Sequence, residues 1–488
     1  MRAVAFTVVV AVLGLLMPSR AHAYDFEIDA QTIGQAYQLR AADSTLVNRR
    51  RLTQYLALSI FNMGRTDDLG RPLPNNQFYL SVAMRFDADM GDFAQLDDIS
   101  GRTPERELFP EKLDLLYAYL GGNDLFGFLD FQLGRQIMVD LYDWTSFDGL
   151  HIQGRTRFHV AAEVWGGLAV SGADIFDSPL YRVDGSALGG NPNGSLSARQ
   201  EEEPQPTFGV AVRTVGLRDL SVRVSYDRTM SPTGGSLAPG EPSWGVIDEK
   251  VGLTARGRLF GGRLIPWFAF RYDLLVGRLD EVYAGLRAQL GRHAISAEYV
   301  LAAPTFDGDS IWNVFASQEF DDLRLGYDLA WGRFSAYARA FARFFFDDNG
   351  RSQSIGGNAG GRVELGSRGY ARLDGYYEDG YGGRRAGVDG SARIRLAGNV
   401  FDGIFAEGRV SYADFRDDIR AADRADSFGV QAGLRYTPTP GVIVHGLVEE
   451  NVNRLYKSQL RLLAVLDLSY WLGQKPRGNR RSQPWSGF

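Results

Sequence analysis

The 488-residue chain contains no cysteine. Disulfides, thiolate metal sites and a lipid-modified N-terminal cysteine are therefore excluded, and an oxidising compartment finds nothing to cross-link. A basic surplus is missing too: 53 Lys and Arg stand against 59 Asp and Glu, which argues against a nucleic-acid partner. Outside the N-terminus no apolar run approaches the roughly 20 residues that a membrane helix needs. With 23% charged residues the chain is too polar for a helical membrane protein. No HExxH, cysteine pair or Gly-rich phosphate loop is present, so no motif implies a metal or another cofactor.

What is present begins with a secretory signature over Met1 to Ala23. Arg2 precedes an apolar core from Ala3 to Met17, then come Pro18 and the small-residue site Ala21-His22-Ala23. This reads as a cleaved signal peptide, with Tyr24 opening the mature chain. Losing Arg2 and Arg20 takes the formal net charge from −6 to −8, since residues 1–23 carry no acid. Export with no other anchor leaves the periplasm, an outer membrane or the medium.

The mature chain is written in a period of two. In Ser458 to Leu472, the residues Leu460, Leu462, Ala464, Leu466, Leu468, Tyr470 and Leu472 share one face, and Arg461, Asp467 and Ser469 share the other with Leu463 and Val465 between them. Soluble strands run about 5–6 residues, whereas strands that cross a bilayer run about 9–11. Gln77 to Asp87 repeats the pattern, with Phe78, Leu80, Val82, Met84 and Phe86 against Tyr79, Ser81, Ala83, Arg85 and Asp87. Two less regular strands precede it, at residues 31–40 and 50–61. After it, Leu113, Leu115, Tyr117 and Tyr119 mark a strand on one face, with a tight turn at Gly121-Gly122-Asn123-Asp124 and a hairpin partner from Leu125 to Gln136. The alternation continues to residue 472.

Short joints such as Gly261-Gly262, Gly291-Arg292, Gly332, Ala397-Gly398-Asn399 and Thr437 to Gly441 alternate with longer breaks at 231–243, 302–318, 347–353, 415–425 and 453–457. The stretches Met63 to Asn76, Gly91 to Pro110 and Ser171 to Pro206 keep neither strand nor helix period. Aromatics gather at two levels: Tyr119, Trp331, Phe334, Tyr436 and Tyr470 near short turns, and Tyr226, Tyr272, Tyr299 and Tyr377 toward long loops. These observations predict one all-β domain over residues 24–472: a transmembrane antiparallel β-barrel of about 22 strands, or as few as about 16, with short periplasmic turns and longer outer loops. A β-sandwich array or a β-helix does not explain polar residues on one face of nearly every strand.

The polar faces carry the chemistry. Arg85, Arg223, Arg256, Arg258, Arg339, Arg343, Arg393, Arg395 and Arg409, with Asp389, Glu407 and Asp467, are the candidate pore-lining residues. The same faces add Arg271, Arg287, Arg324, Arg362, Arg372, Arg385, Arg435 and Arg461, opposed by acids such as Asp87, Asp328, Glu364 and Asp374. An Arg facing lipid costs roughly 2–4 kcal/mol at the midplane, so consistent segregation points to a wet interior. Opposed Arg and acidic ladders order polar solutes, and Arg rings favour anions; alternatively such charges pair across strands and hold the wall together. Arg393, Arg395 and Arg409 on adjacent strands form the densest cluster, the candidate anion-attracting patch. The Ser171 to Pro206 stretch, carrying Glu201-Glu202-Glu203, is a candidate constriction or a surface loop.

Leu133-Gly134-Arg135-Gln136 followed by Phe147-Asp148-Gly149-Leu150 resembles a strand and loop signature of Gram-negative porin-like barrels, including the alginate-export type. The match covers about 20 residues and implies an outer-membrane solute channel without naming the solute. Ser458 to Leu472 resembles the terminal signal of outer-membrane barrels, which implies the barrel assembly machinery and outer-membrane lipid as partners. A basic tail, Gly473 to Phe488, follows it and is expected to be disordered.

Enzymatic readings find little support. His159 and Glu163 could mimic an acid/base pair, and Asp307, Asp309 and Ser310 share a loop, but nothing ties a histidine to them. The expectation is a passive channel for small polar or anionic solutes and not an enzyme; the alternative is a non-conducting structural or adhesive barrel, or a barrel-embedded hydrolase.

Overall fold

A computed structural model describes residues 25–41, 46–63, 77–89, 112–139, 144–170, 205–231, 245–303, 319–347, 350–381, 383–398, 403–416, 424–453 and 456–472. The expected signal peptide, the basic tail, the stretches at 91–110 and 171–204, and Asp307, Asp309 and Ser310 lie outside them.

The first strands are β1 (Asp25–Ala41), β2 (Leu46–Phe61), β3 (Gln77–Asp89), β4 (Lys112–Leu125), β5 (Leu129–Val139), β6 (Trp144–Arg155), β7 (Val160–Ala169), β8 (Pro206–Thr214) and β9 (Leu220–Ser231). Then come β10 (Gly245–Gly257), β11 (Leu264–Asp273), β12 (Arg278–Leu290), β13 (His293–Ala302), β14 (Phe320–Trp331), β15 (Phe334–Asp347) and β16 (Gly350–Glu364). The last are β17 (Gly369–Gly380), β18 (Arg384–Ala397), β19 (Ile404–Arg416), β20 (Arg424–Thr439), β21 (Val442–Asn453) and β22 (Tyr456–Leu472). Each strand pairs antiparallel with its sequence neighbours, and β1 also pairs with β22, from Phe26 opposite Leu472 to Ala41 opposite Tyr456. The sheet thus closes into a 22-stranded antiparallel barrel. Closure satisfies the backbone donors and acceptors that an open edge would leave unpaired.

The alternation settles which side faces out. Leu325 (64% exposed), Leu434 (56%), Val388 (50%) and Leu462 (48%) stand on the outer surface, while the residues between them turn inward. Trp331, Phe334, Tyr436 and Tyr470 face out beside the short turns, and Tyr377 faces out toward the other end.

Several elements differ from the sequence pattern. Gly121 to Asp124 is not the turn: β4 runs through it to Leu125, and the chain reverses over Phe126-Gly127-Phe128, where Phe126 and Gly127 take φ of 55° and 82°. The ladder shifts between Gly122 and Leu125 because the Asp124 N–H donates to the Asp130 carboxylate at 2.6 Å, while Arg155 holds both carboxylates at 2.9 Å. A second shift, between Ala83 and Met84, adds one residue at Leu116. That bulge sends Leu113 and Leu115 outward but Tyr117 and Tyr119 inward, both buried against Tyr79, so Tyr119 belongs to no outer girdle. Residues 347–353 are not a long break: β16 starts at Gly350 and pairs Ser352 with Phe345. Its Gly-, Ser- and Asn-rich sequence hides the strand because the ladder, not apolar side chains, specifies it. Likewise β1 and β2 are full-length strands, paired from Asp25 opposite Phe61 to Arg40 opposite Leu46, and β22 begins at Tyr456, two residues before Ser458. β8 begins at Pro206, the end of the long unpatterned stretch.

Candidate pore wall

The inner face is a web of arginine–carboxylate pairs. Arg85 on β3 is nearly buried between Asp87 (2.9 Å) and Asp114 (2.8 Å), and Arg51 meets Asp87 from β2 at 3.0 Å. On β9, Arg223 reaches Glu163 at 3.0 Å and lies over the Trp165 ring. Arg339 joins Asp328 at 2.6 Å, and Arg287 takes the other oxygen at 3.0 Å. Arg343 reaches Asp322 at 2.9 Å and covers the rings of Phe320 and Phe341. Asp467 accepts from Gln31 across the β1–β22 seam at 2.7 Å.

The cluster expected to attract anions is brought together on β18 and β19, interleaved with acids. Arg393 pairs with Glu407 at 2.7 Å, which also meets His445 Nε2 at 3.2 Å; Arg409 pairs with Asp389 at 2.5 Å. Of the three, only Arg395 lacks a carboxylate among the described residues, donating to Ser367 Oγ at 3.1 Å. Arg256 faces inward, exposed, near the end of β10, with Ser221 and Trp267 as its cross-strand neighbours. Arg258 is not on a strand: it stands one residue past β10, where its backbone N–H donates to the Asp219 carbonyl at 2.8 Å.

The sequence pattern overlooked Asp322, Asp280, Glu378 and Glu449. Asp322 is fully buried and shared by Arg324 and Arg343, both at 2.9 Å. Its period-two relation to Arg324 was the available signal. Asp280 escapes the alternation because it is the extra residue at the register shift beside Arg271, its partner. Glu449 takes Arg461 at 2.5 Å.

The Leu133–Gln136 and Phe147–Leu150 motif is explained by register. Gln136 and Phe147 face inward and are fully buried, with Gln136 Nε2 donating to the Gly149 carbonyl at 3.2 Å. Gly149 and Gly167 lie opposite each other, and a Cβ on either would meet backbone oxygen within 2.2 Å, so the strands pass where no side chain fits. Arg135 and Asp148 face outward, between Leu133 and Leu150, as a bidentate pair at 2.8 Å and 2.8 Å. The acid/base pair suggested by His159 and Glu163 does not form: His159 sits in the β6–β7 turn with Nδ1 at 3.2 Å from the Val215 carbonyl, while Glu163 is buried with Arg213 and Arg223.

The inner wall is unevenly wet. On β3 the inward Tyr79, Ser81, Ala83 and Arg85 are all buried, and buried inward groups recur through β14. On β16 to β19 the inward Asn358, Arg372, Tyr376, Arg385 and Arg409 are exposed.

No protein-family model matches the sequence, and no curated protein matches it. Among solved structures, the barrel is similar to the crystal structure of Pseudomonas aeruginosa OpdQ, at 10% identity and a TM-score of 0.44, covering 92% of this chain and 99% of that one. It is similar to Acinetobacter baumannii OccAB4, at 9% identity and a TM-score of 0.42, over 93% and 100% of the two chains. A BenF-like porin from Pseudomonas fluorescens matches at 10% identity and a TM-score of 0.41, over 92% and 99%.

Proposed function

We propose that the chain is an outer-membrane, porin-like channel for the passive diffusion or selective transport of small polar or anionic solutes. One observation carries this reading: a closed ring of 22 strands turns apolar side chains out and arginine–carboxylate pairs in, with part of the charged wall open to water. In water, so much exposed Leu, Val, Phe and Ile would drive association; in a bilayer the same surface is solvated by acyl chains. A ring of this size is wide enough to enclose an aqueous lumen or a plugged one. Because most of the described wall arginines are paired with carboxylates, any anion preference rests on those with no carboxylate partner among the described residues, such as Arg256 and Arg395.

The test is single-channel recording of the refolded protein in a planar bilayer under a salt gradient. Discrete conductance steps with an anion-biased reversal potential are expected. A correctly folded barrel that gives no steps refutes the channel and leaves a structural or adhesive one.

A further inference from the structure

Among the described residues of the exposed stretch of inner wall, one inward-facing aromatic is itself exposed. Tyr376, at the middle of β17, is 46% exposed although it faces inward. Its ring lies over Gly387 of β18: a Cβ there would fall 2.5 Å from Tyr376 Cε1 and 2.7 Å from Cζ. The ring therefore covers Gly387, which has no side chain to hold it away, and nearly half of Tyr376 stays exposed on the lumenal side. Asn358 lies directly opposite on β16, also exposed.

The charges around the ring cancel. Arg372 pairs with Asp374 at 2.5 Å, Arg409 with Asp389 at 2.5 Å and Arg385 with Glu378 at 3.6 Å. Each of these arginines thus meets a carboxylate, Glu378 is shared with Arg343 at 3.9 Å, itself also held by Asp322, and Asp374 and Asp389, directly opposed across the ladder, are each answered by an arginine. A flat aromatic face bordered by paired donors and acceptors of no net charge suits a solute with an apolar ring face and a hydroxyl rim. An aromatic carboxylate would instead need a guanidinium with no acid already bound to it.

We infer that Tyr376 is the platform of a lumenal binding site for neutral sugars, on which a pyranose ring stacks while Asn358 and the flanking arginine–carboxylate pairs bond its hydroxyls. The inference rests on the channel reading above and adds a solute class to it. Every residue that it uses lies on β16 to β19, the wet side of the wall.

The test is maltose added to the refolded channel during single-channel recording, with benzoate as the anionic aromatic control and calorimetric titration of the same sugar in parallel. Maltose is expected to interrupt the current of the native protein. Tyr376→Ala should weaken sugar binding about tenfold, the scale of one lost ring contact, and Tyr376→Trp should retain it. Gly387→Ala, whose methyl group displaces the ring, should weaken binding with Tyr376 still present. Equal maltose binding in the native and Tyr376→Ala proteins overturns the inference, as does benzoate binding that depends on Tyr376 while maltose binding does not. A folded protein that conducts no current but binds maltose through Tyr376 refutes the channel and keeps the site.

Discussion

The outward pair Arg135–Asp148 offers a decisive test of how this wall is built. Both side chains lie between Leu133 and Leu150 on the outer surface, Asp148 46% exposed and Arg135 26%, joined by two parallel bonds with a third from Arg135 to the Leu115 carbonyl at 3.2 Å. Asp148→Leu takes the carboxylate away from the guanidinium, which keeps its bond to the Leu115 carbonyl, and puts a further apolar side chain beside it. An uncompensated Arg on a lipid-facing strand costs roughly 2–4 kcal/mol at the midplane and about 0–1 near the interface. Arg135 lies four residues from the outer end of β5, between those limits, so a loss of about 1–3 kcal/mol is expected. The double variant Arg135→Leu/Asp148→Leu removes both charges and should recover most of that stability, because an apolar pair replaces a desolvated ionic one. The assay is urea unfolding of the protein in lipid vesicles, run as a double-mutant cycle with conductance recorded on each variant. A double variant less stable than either single one would refute the outward placement. So would a changed ion selectivity in Asp148→Leu with unchanged stability, since a side chain outside the lumen cannot touch the permeating ion.

Other predictions follow from the inner wall. Asp322→Asn should destabilise the barrel by about 3 kcal/mol, because it strips two arginines of a fully buried partner, whereas Asp389→Asn, facing an Arg409 that is 59% exposed, should cost under about 1 kcal/mol; equal urea midpoints would show the burial contrast to be irrelevant. Replacing Arg393, Arg395 and Arg409 together with Ala should lower anion preference, since Asp389 and Glu407 lose their arginines and Glu407 keeps only His445 beside it among the described residues; an unchanged reversal potential would exclude this wall from selectivity. The cysteine-free chain also suits accessibility mapping: Ser391→Cys on β18 should react readily with a water-soluble thiol reagent, and Ser81→Cys, 5% exposed as serine, should react slowly. Equal rates would refute the uneven wetting of the wall.

Much of this was legible because side-chain alternation is a local property. Transfer energy sorts Leu460, Leu462 and Leu468 from Arg461 and Asp467 within one strand, whatever that strand pairs with. Period two therefore determined the barrel, its strand count of about 22 and the inward side of most of the arginines, but not of Arg258, which stands past the end of β10. Register is not local. One extra residue at Leu116 turned Tyr117 and Tyr119 into the interior, and another at Asp280 placed an acid against Arg271, neither visible in a pattern that assumes strict alternation. Pairing between strands likewise decided that Arg393 and Arg409 are answered by Glu407 and Asp389, that Arg135 and Asp148 meet on the outside, and that Tyr376 lies bare over Gly387. The sequence by itself determined which face each strand turns to water; only the closed ring decided which charges meet and which stretch of wall stays wet, because both depend on contacts between strands that the two-residue period does not encode.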